Sequence, residues 1–297
     1  METNPPAGFS ADLASFNDSI DSVGQGTNEF IWHRHRGLFL GMIAITVVVT
    51  IPCWYLALFA FMHGLDMRGP LLLAVLPFII PAVFYAAVSE KMEKIFFLQL
   101  SSAIGFTYRR YAPPSTAAGF LFKLGSEQGL LRDVLIGTYR TLPMRLFSYT
   151  FTTGSGRNQE THEYMVCELR IVGTLPELFV RDRSLLVEVN PQPPHTRPLT
   201  LEGDFNNRFQ VYVAEGQEIE GLQVLEPDSM AKIMDGYAGY GFECSGDRLN
   251  VFTRRVPYTK EGYQKLVALA DQLFDVLIPG LARVVEPVPT ASVPATV

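Results

Sequence analysis

The dominant pattern along the chain is a pair of uninterrupted apolar runs. Gly37 to Met62 spans 26 residues and Leu71 to Ser89 spans 19, and neither contains Asp, Glu, Lys or Arg. A hydrocarbon core about 30 Å thick takes about 20 apolar residues of helix to cross, so both runs are predicted membrane spans. His63 to Pro70, with Asp66 and Arg68, makes a polar turn between them. The chain is expected to cross, turn and recross as a two-helix transmembrane hairpin over residues 37–89.

After the second run the periodicity changes. Glu90 to Leu100 carries Met92, Ile95, Phe96, Leu98 and Leu100 as a broad apolar stripe, which predicts that the span continues into a helix reaching Tyr108 and packing in the domain core. Arg109-Arg110 and Tyr111 to Pro114 then start a connector. Ala117 to Phe122 reads as a short apolar helix or turn closed by Gly125-Ser126, and Leu130 to Leu135 as a short segment before a turn at Gly137.

Alternation of period two marks strands at Arg145–Thr152 and Glu163–Ile171, joined by the hairpin-type loop Thr153 to Gln159. Further strands are predicted at Glu177–Arg181, Leu185–Val189, Phe205–Ala214 and Leu222–Leu225, the last two flanking an acidic turn from Glu215 to Gly221. Pro227-Asp228-Ser229 opens a helix with Met230, Ile233 and Met234 inward. Phe242–Cys244 and Arg248–Thr253 read as a hairpin around Ser245-Gly246-Asp247. Thr259 caps a long amphipathic helix through Tyr263, Leu266, Ala270, Leu273 and Leu277, with a stop at Pro279-Gly280. Hairpin-rich strands with helices between and after them predict an α+β domain on a mainly antiparallel sheet with packed helices. The expected organisation is a tail at 1–36, the hairpin at 37–89, the α+β domain at 90–285 and a disordered Pro-rich tail at 286–297.

Residues 1–30 hold five acids and no Lys or Arg. Their polar composition favours a disordered tail, against an amphipathic helix from Phe9 to Ile20. Basic residues set the orientation. Arg34, Arg36, Lys91, Lys94, Arg109 and Arg110 flank the outer ends of the spans, and the turn holds only Arg68. The positive-inside rule then puts both termini and the domain in the cytoplasm. The expected location is the cytoplasmic (inner) membrane, multi-pass. Neither span carries an ionisable residue, which disfavours a transporter and reads the hairpin as an anchor.

A net charge of −6 argues against a nucleic-acid binder. Three cysteines, Cys53, Cys167 and Cys244, make no disulfide framework or CxxC pair. Gly154-Ser155-Gly156 lacks the Gly-Lys-Ser/Thr of a phosphate loop and reads as a turn. His162 and Cys167 are five residues apart on a predicted strand, hence on opposite faces and no dyad. Glu215, Glu218 and Glu220 match no cation-loop spacing. Arg181-Asp182-Arg183 and Arg254-Arg255 read as ordinary surface charge. No catalytic, cofactor-binding or metal residue is assigned, and no cofactor is expected.

Leu201 to Phe209 (Leu-Glu-Gly-Asp-Phe-Asn-Asn-Arg-Phe), Val211-Tyr212, and the Pro227-to-Met230 helix start form one group of motifs. With Arg132-Asp133-Val134, Gly137 and the Glu163–Leu169 strand, they resemble a family of uncharacterised bacterial membrane proteins, in which a domain of unknown function follows two N-terminal transmembrane helices. The likeness covers roughly residues 90–280. It implies a bacterial cytoplasmic-membrane location and brings no activity. Phe205 and Phe209 are expected as core or edge anchors, with Arg208 outward or paired. The expected function is a membrane-anchored cytosolic interaction or sensing module. Its expected partners are the lipid bilayer, a protein of unknown identity, or a second copy in a homo-oligomer, and not nucleic acid. The alternative is a membrane-associated hydrolase or transferase acting on a lipid or peptide through Cys167 or His195.

Overall fold

Asp12 opens the first described element. Its carboxylate accepts the Ser15 amide at 2.8 Å and caps helix α1 (Leu13–Asp21), which buries Phe16 and Ile20. The computed structural model describes residues 12–23, 27–64, 68–123, 129–185, 192–254 and 259–284. The expected tail at 286–297, the turn residues 65–67, Gly125-Ser126, residues 186–191 and Arg255 lie outside them. A nine-residue helix is marginal alone. Tertiary contact holds this one where a disordered tail was expected: Gln264 Nε2, from the last helix of the chain, reaches the Asn17 carbonyl at 3.4 Å and Asp21 Oδ1 at 3.2 Å.

The chain divides into a helical unit over Val23–Leu100 and an α+β unit built from most of the remainder. The helical unit contains α2 (Thr27–Met62) and the greater part of α3 (Arg68–Ala103), each 36 residues long. Thirty-six residues of helix measure about 54 Å. Within α2, Ala44–Met62 is long and apolar enough to cross a membrane, and only 11% of it is buried. Cys53, Ala57 and Ala60 form its least exposed stripe, whereas Val48, Ile51, Tyr55, Phe61 and Met62 are at least 66% exposed. The second predicted span falls inside α3, where most side chains from Leu71 to Ser89 lie outside the description.

The predicted helix to Tyr108 ends early. Gly105 takes a left-handed φ of +68°, and the Phe106 amide returns to the Ser101 carbonyl at 2.8 Å. The chain then enters β1 (Thr107–Ala112). After a strap at 113–123 comes β2 (Leu130–Tyr139), which corrects the expected turn at Gly137: this glycine is inside the strand because the Phe106 ring lies where a Cβ would go. The chain reverses instead at Arg140-Thr141, both left-handed, into β3 (Leu142–Thr153).

β4 (Glu160–Asp182) is one strand of 23 residues where two were expected, at Glu163–Ile171 and Glu177–Arg181. Its partner β7 (Tyr240–Arg254) likewise runs unbroken, correcting the expected hairpin around Gly246. Register shifts between Arg170, Leu175 and Leu178, with left-handed Gly173 and Gly246, bend both strands together. A bulge and a turn use the same residue types, so the two are alike in sequence.

β5 (Thr196–Pro198) and α4 (Phe205–Arg208) precede β6 (Phe209–Ala214), so the predicted strand from Phe205 begins four residues late. The acidic stretch and the predicted strand at Leu222–Leu225 are instead helix α5 (Glu218–Val224), with Glu218 and Glu220 in its first turn, where carboxylates suit the helix dipole. α6 (Pro227–Gly236) follows as predicted, then β7 (Tyr240–Arg254) and α7 (Lys260–Val284). α7 continues past the predicted Pro279-Gly280 stop. A proline near a helix end forfeits one hydrogen bond and does not by itself end the helix.

The fold is α+β, with every strand pairing antiparallel. The order is β1-β2-β3-β4-β6-β5, and β7 lies along the other flank of β4. One face carries Leu135, Tyr139, Leu146, Cys167 and Val251, all at most 2% exposed. Tyr139 Oη donates to Asp271 at 2.6 Å, tying α7 and its buried stripe Tyr263, Leu266, Ala270 and Leu273 to this face. The other face carries Phe147, Tyr149, Phe151, Tyr164, Val166 and Phe252.

Candidate functional site

The strap over residues 113–123 covers that aromatic face with only two 3-10 turns, Pro114–Thr116 and Leu121–Lys123. A segment without helix or ladder must find other partners for its backbone groups. Here sheet side chains supply them. The Ala118 carbonyl accepts Asn250 Nδ2 at 2.8 Å, and the Phe122 carbonyl accepts Tyr149 Oη at 3.1 Å. The Phe120 and Leu121 amides donate to the two oxygens of Glu243, the latter at 3.1 Å. Gly119, with φ of +140°, leaves room for that carboxylate: a Cβ there would stand 2.6 Å from Glu243 Oε2. Burial pushes the Glu243 carboxyl up to about 7, against the two backbone bonds that favour its charged form.

At the end of the same face the aromatic residues give way to charge. Arg145 on β3 stands directly opposite Glu168 on β4, and Arg170 on β4 directly opposite Arg248 on β7. Glu168 is 1% exposed. It accepts Arg145 Nε at 2.7 Å, Arg145 Nη2 at 2.6 Å and Arg248 Nη1 at 2.9 Å. Both arginines also donate to the Thr116 carbonyl, at 2.9 and 2.6 Å. Arg170 and Asp247 stand at the rim, about half exposed and 3.3 Å apart, and Asp247 lies 3.4 Å from Arg248 Nε. Arg145, Glu168, Arg170 and Arg248, with Ser115, Thr116, Ile136, Pro143 and Met144, line a pocket of about 420 Å³, and Asp247 stands just outside this lining. Three guanidinium groups face two carboxylates. Arg248 Nη2 and both terminal nitrogens of Arg170 have no acceptor among the described residues.

The residues singled out from sequence stand elsewhere. Cys167 is fully buried in mid-β4 between Leu146 and Val251, on the α7 face, and burial pushes its thiol up out of the reactive range. Cys244 is buried in the same way. His195 occupies an exposed left-handed turn beside β5. His162 lies opposite Phe151, and so on the face away from Cys167, as its spacing predicts. Gly154 and Gly156 form the β3–β4 turn, where a Cβ on Gly154 would meet the Asn158 carbonyl at 2.2 Å. Glu215, Glu218 and Glu220 belong to no cluster of three metal-ligating side chains among the described residues.

One expectation is overturned outright. Arg181 and Asp182 are not surface charges but 3% and 4% exposed. Arg181 donates twice to Gln210 Oε1, while Asp182 accepts the Ser184 and Gly239 amides at 2.7 and 2.9 Å. The motif at 201–209 joins this network. Arg208 reaches Asp182 at 3.4 Å and the Met234 carbonyl at 2.6 Å, and Asn206 bonds the backbone of Leu199 and Leu201. Phe205 and Phe209 stack in the core with centroids 4.9 Å apart. Likewise Asp133 accepts Tyr108 Oη at 2.8 Å from a left-handed bulge position. The resemblance motifs therefore hold the fold together.

Sequence reading did not single out Arg145, Glu168, Arg170 and Arg248. A signal was present: Glu168 and Arg170 continue the inward phase of Tyr164 and Val166, where apolar residues are expected. Their convergence depends on the register of three strands.

No family model and no curated protein matches the chain. Among solved structures, the chain is similar to the crystal structure of the mycobacterial trehalose monomycolate transport factor A, TtfA. The TM-score is 0.45 and the identity 16%, covering 64% of this chain and 93% of that one. At that distance the likeness carries no argument about function.

Proposed function

We propose that this protein is a membrane-anchored interaction or sensing module, held at the bacterial cytoplasmic membrane by a two-span hairpin, with both termini and the α+β unit in the cytoplasm. The observation that carries the reading is the exposed apolar surface of Ala44–Met62, of which 11% is buried. In water so large an apolar surface would be a liability, and in a bilayer it is the ordinary state. The charge-free run Leu71–Ser89 and the Lys/Arg excess on the outer flanks support the return span and the orientation. No observation favours the hydrolase or transferase reading, since Cys167 is sealed inside the sheet and His195 stands at an edge turn.

The test is alkaline extraction of membranes containing the full chain, combined with reporter fusions after Val297 and within the turn at 64–67. Retention in the pellet, a cytoplasmic C-terminus and an external turn are expected. Release by alkali, or reporters of opposite sidedness, overturns the reading. Native mass spectrometry of the full chain in mild detergent then identifies a protein partner or a homo-oligomer.

A further inference from the structure

We propose that the pocket between β3, β4 and β7 binds a small organic anion of one negative charge, a carboxylate or a phosphodiester. The inference deepens the sensing-module reading and rests on it only for taking the pocket as the place where a signal is read.

Three observations converge. First, Arg170 and Arg248 are directly opposed across strands, an arrangement that is unfavourable for like charges unless something compensates them. Glu168 is already committed to Arg145 and to Arg248 Nη1, and Asp247 is shared between Arg170 and Arg248. Three cations against two carboxylates leave one positive charge. Second, the surplus donors are the ones suited to an oxyanion. Arg248 Nη2 and the Arg170 terminal nitrogens have no acceptor among the described residues, and guanidinium groups match carboxylate and phosphate oxygens in a fork geometry. Third, the space of about 420 Å³ is in the range of small-molecule sites and is larger than a bare inorganic anion fills.

Beside Arg145 on the same sheet face, half-buried Ile136 and exposed Pro143 supply apolar surface that suits a short apolar stem. Strap closure completes the floor, because Arg145 and Arg248 are both fixed by the Thr116 carbonyl. Their geometry is therefore set before a ligand arrives, and less ordering cost falls on binding. Arg170 remains about half exposed at the rim, where an entering anion meets it first.

The experiment is calorimetric titration of the full chain in nanodiscs of zwitterionic lipid with hexanoate, dibutyl phosphate and uncharged hexanamide. Saturable binding of at least one anion and none of hexanamide is expected. Binding of dibutyl phosphate alone assigns a phosphodiester, such as a lipid headgroup, and binding of hexanoate alone assigns a free carboxylate. Arg170→Gln is expected to weaken binding at least tenfold without lowering the melting temperature. Pro143→Glu, which places a carboxylate on the apolar wall, is expected to abolish binding. Failure of both anions to saturate, or Arg170→Gln binding as tightly as wild type, overturns the inference. If the chain still resists alkaline extraction in that case, the anchored-module reading stands. Release from the membrane with binding intact overturns that reading and leaves the pocket.

Discussion

The two faces of the sheet are closed in different ways, and the difference explains where the buried polar residues are. On one face lies α7, a helix that satisfies its own backbone, so the surface beneath it is largely apolar and its polar ties gather at one end, where Tyr139 and Arg140 meet Asp271 and Asp275. On the other lies the strap, whose carbonyls and amides have no ladder. The sheet answers with Arg145, Arg248, Asn250, Glu243 and Tyr149, each bonded to strap backbone. A non-repetitive cover demands polar groups in the layer beneath it. Once such groups are present at the edge of a core, they can also meet a ligand.

The sharpest break in that comparison is Glu168→Ala. Removing a carboxylate that is 1% exposed strips the half-buried Arg145 and Arg248 of the counter-charge they share, and a loss of about 3–5 kcal/mol is expected in denaturant unfolding. Leu273→Ala, on the buried stripe of α7, removes only packing, with an expected loss of about 3 kcal/mol. After this change, anion binding at the strap-side pocket is expected to be unchanged where the fold persists.

Glu243 sharpens the contrast through pH. Burial raises its carboxyl from 4.5 to about 7, with the Glu177 carboxylate adding to the rise and Lys123 opposing it. The folded state then holds the proton to higher pH than the unfolded chain does. The resulting stability is complete below about pH 4.5 and declines as pH rises through about 7, by up to ~3 kcal/mol. Wild type minus Glu243→Gln, measured by thermal unfolding from pH 5 to pH 8, is expected to show that decline, and a flat difference would refute it. The smallest effect is expected at Asp275→Asn. This residue is 53% exposed and pairs with Arg140 at 2.7 Å, an exposed ion pair worth under about 1 kcal/mol.

The pattern of apolar residues alone determined the α+β class, the positions of α6 and α7, the β3–β4 turn and the apolar stretch in α2. All of these follow from local period and from breaker residues. Tertiary contact decided the remainder. α1 exists because Phe16 and Ile20 are buried and Gln264 holds its backbone. Gly137 and Gly246 are strand residues because neighbouring strands and the Phe106 ring constrain them. The pocket exists because Arg145, Glu168, Arg170 and Arg248, up to about a hundred residues apart in sequence, fall into register on three strands. A period of two specifies which face each residue takes, and only strand pairing specifies which residues meet there.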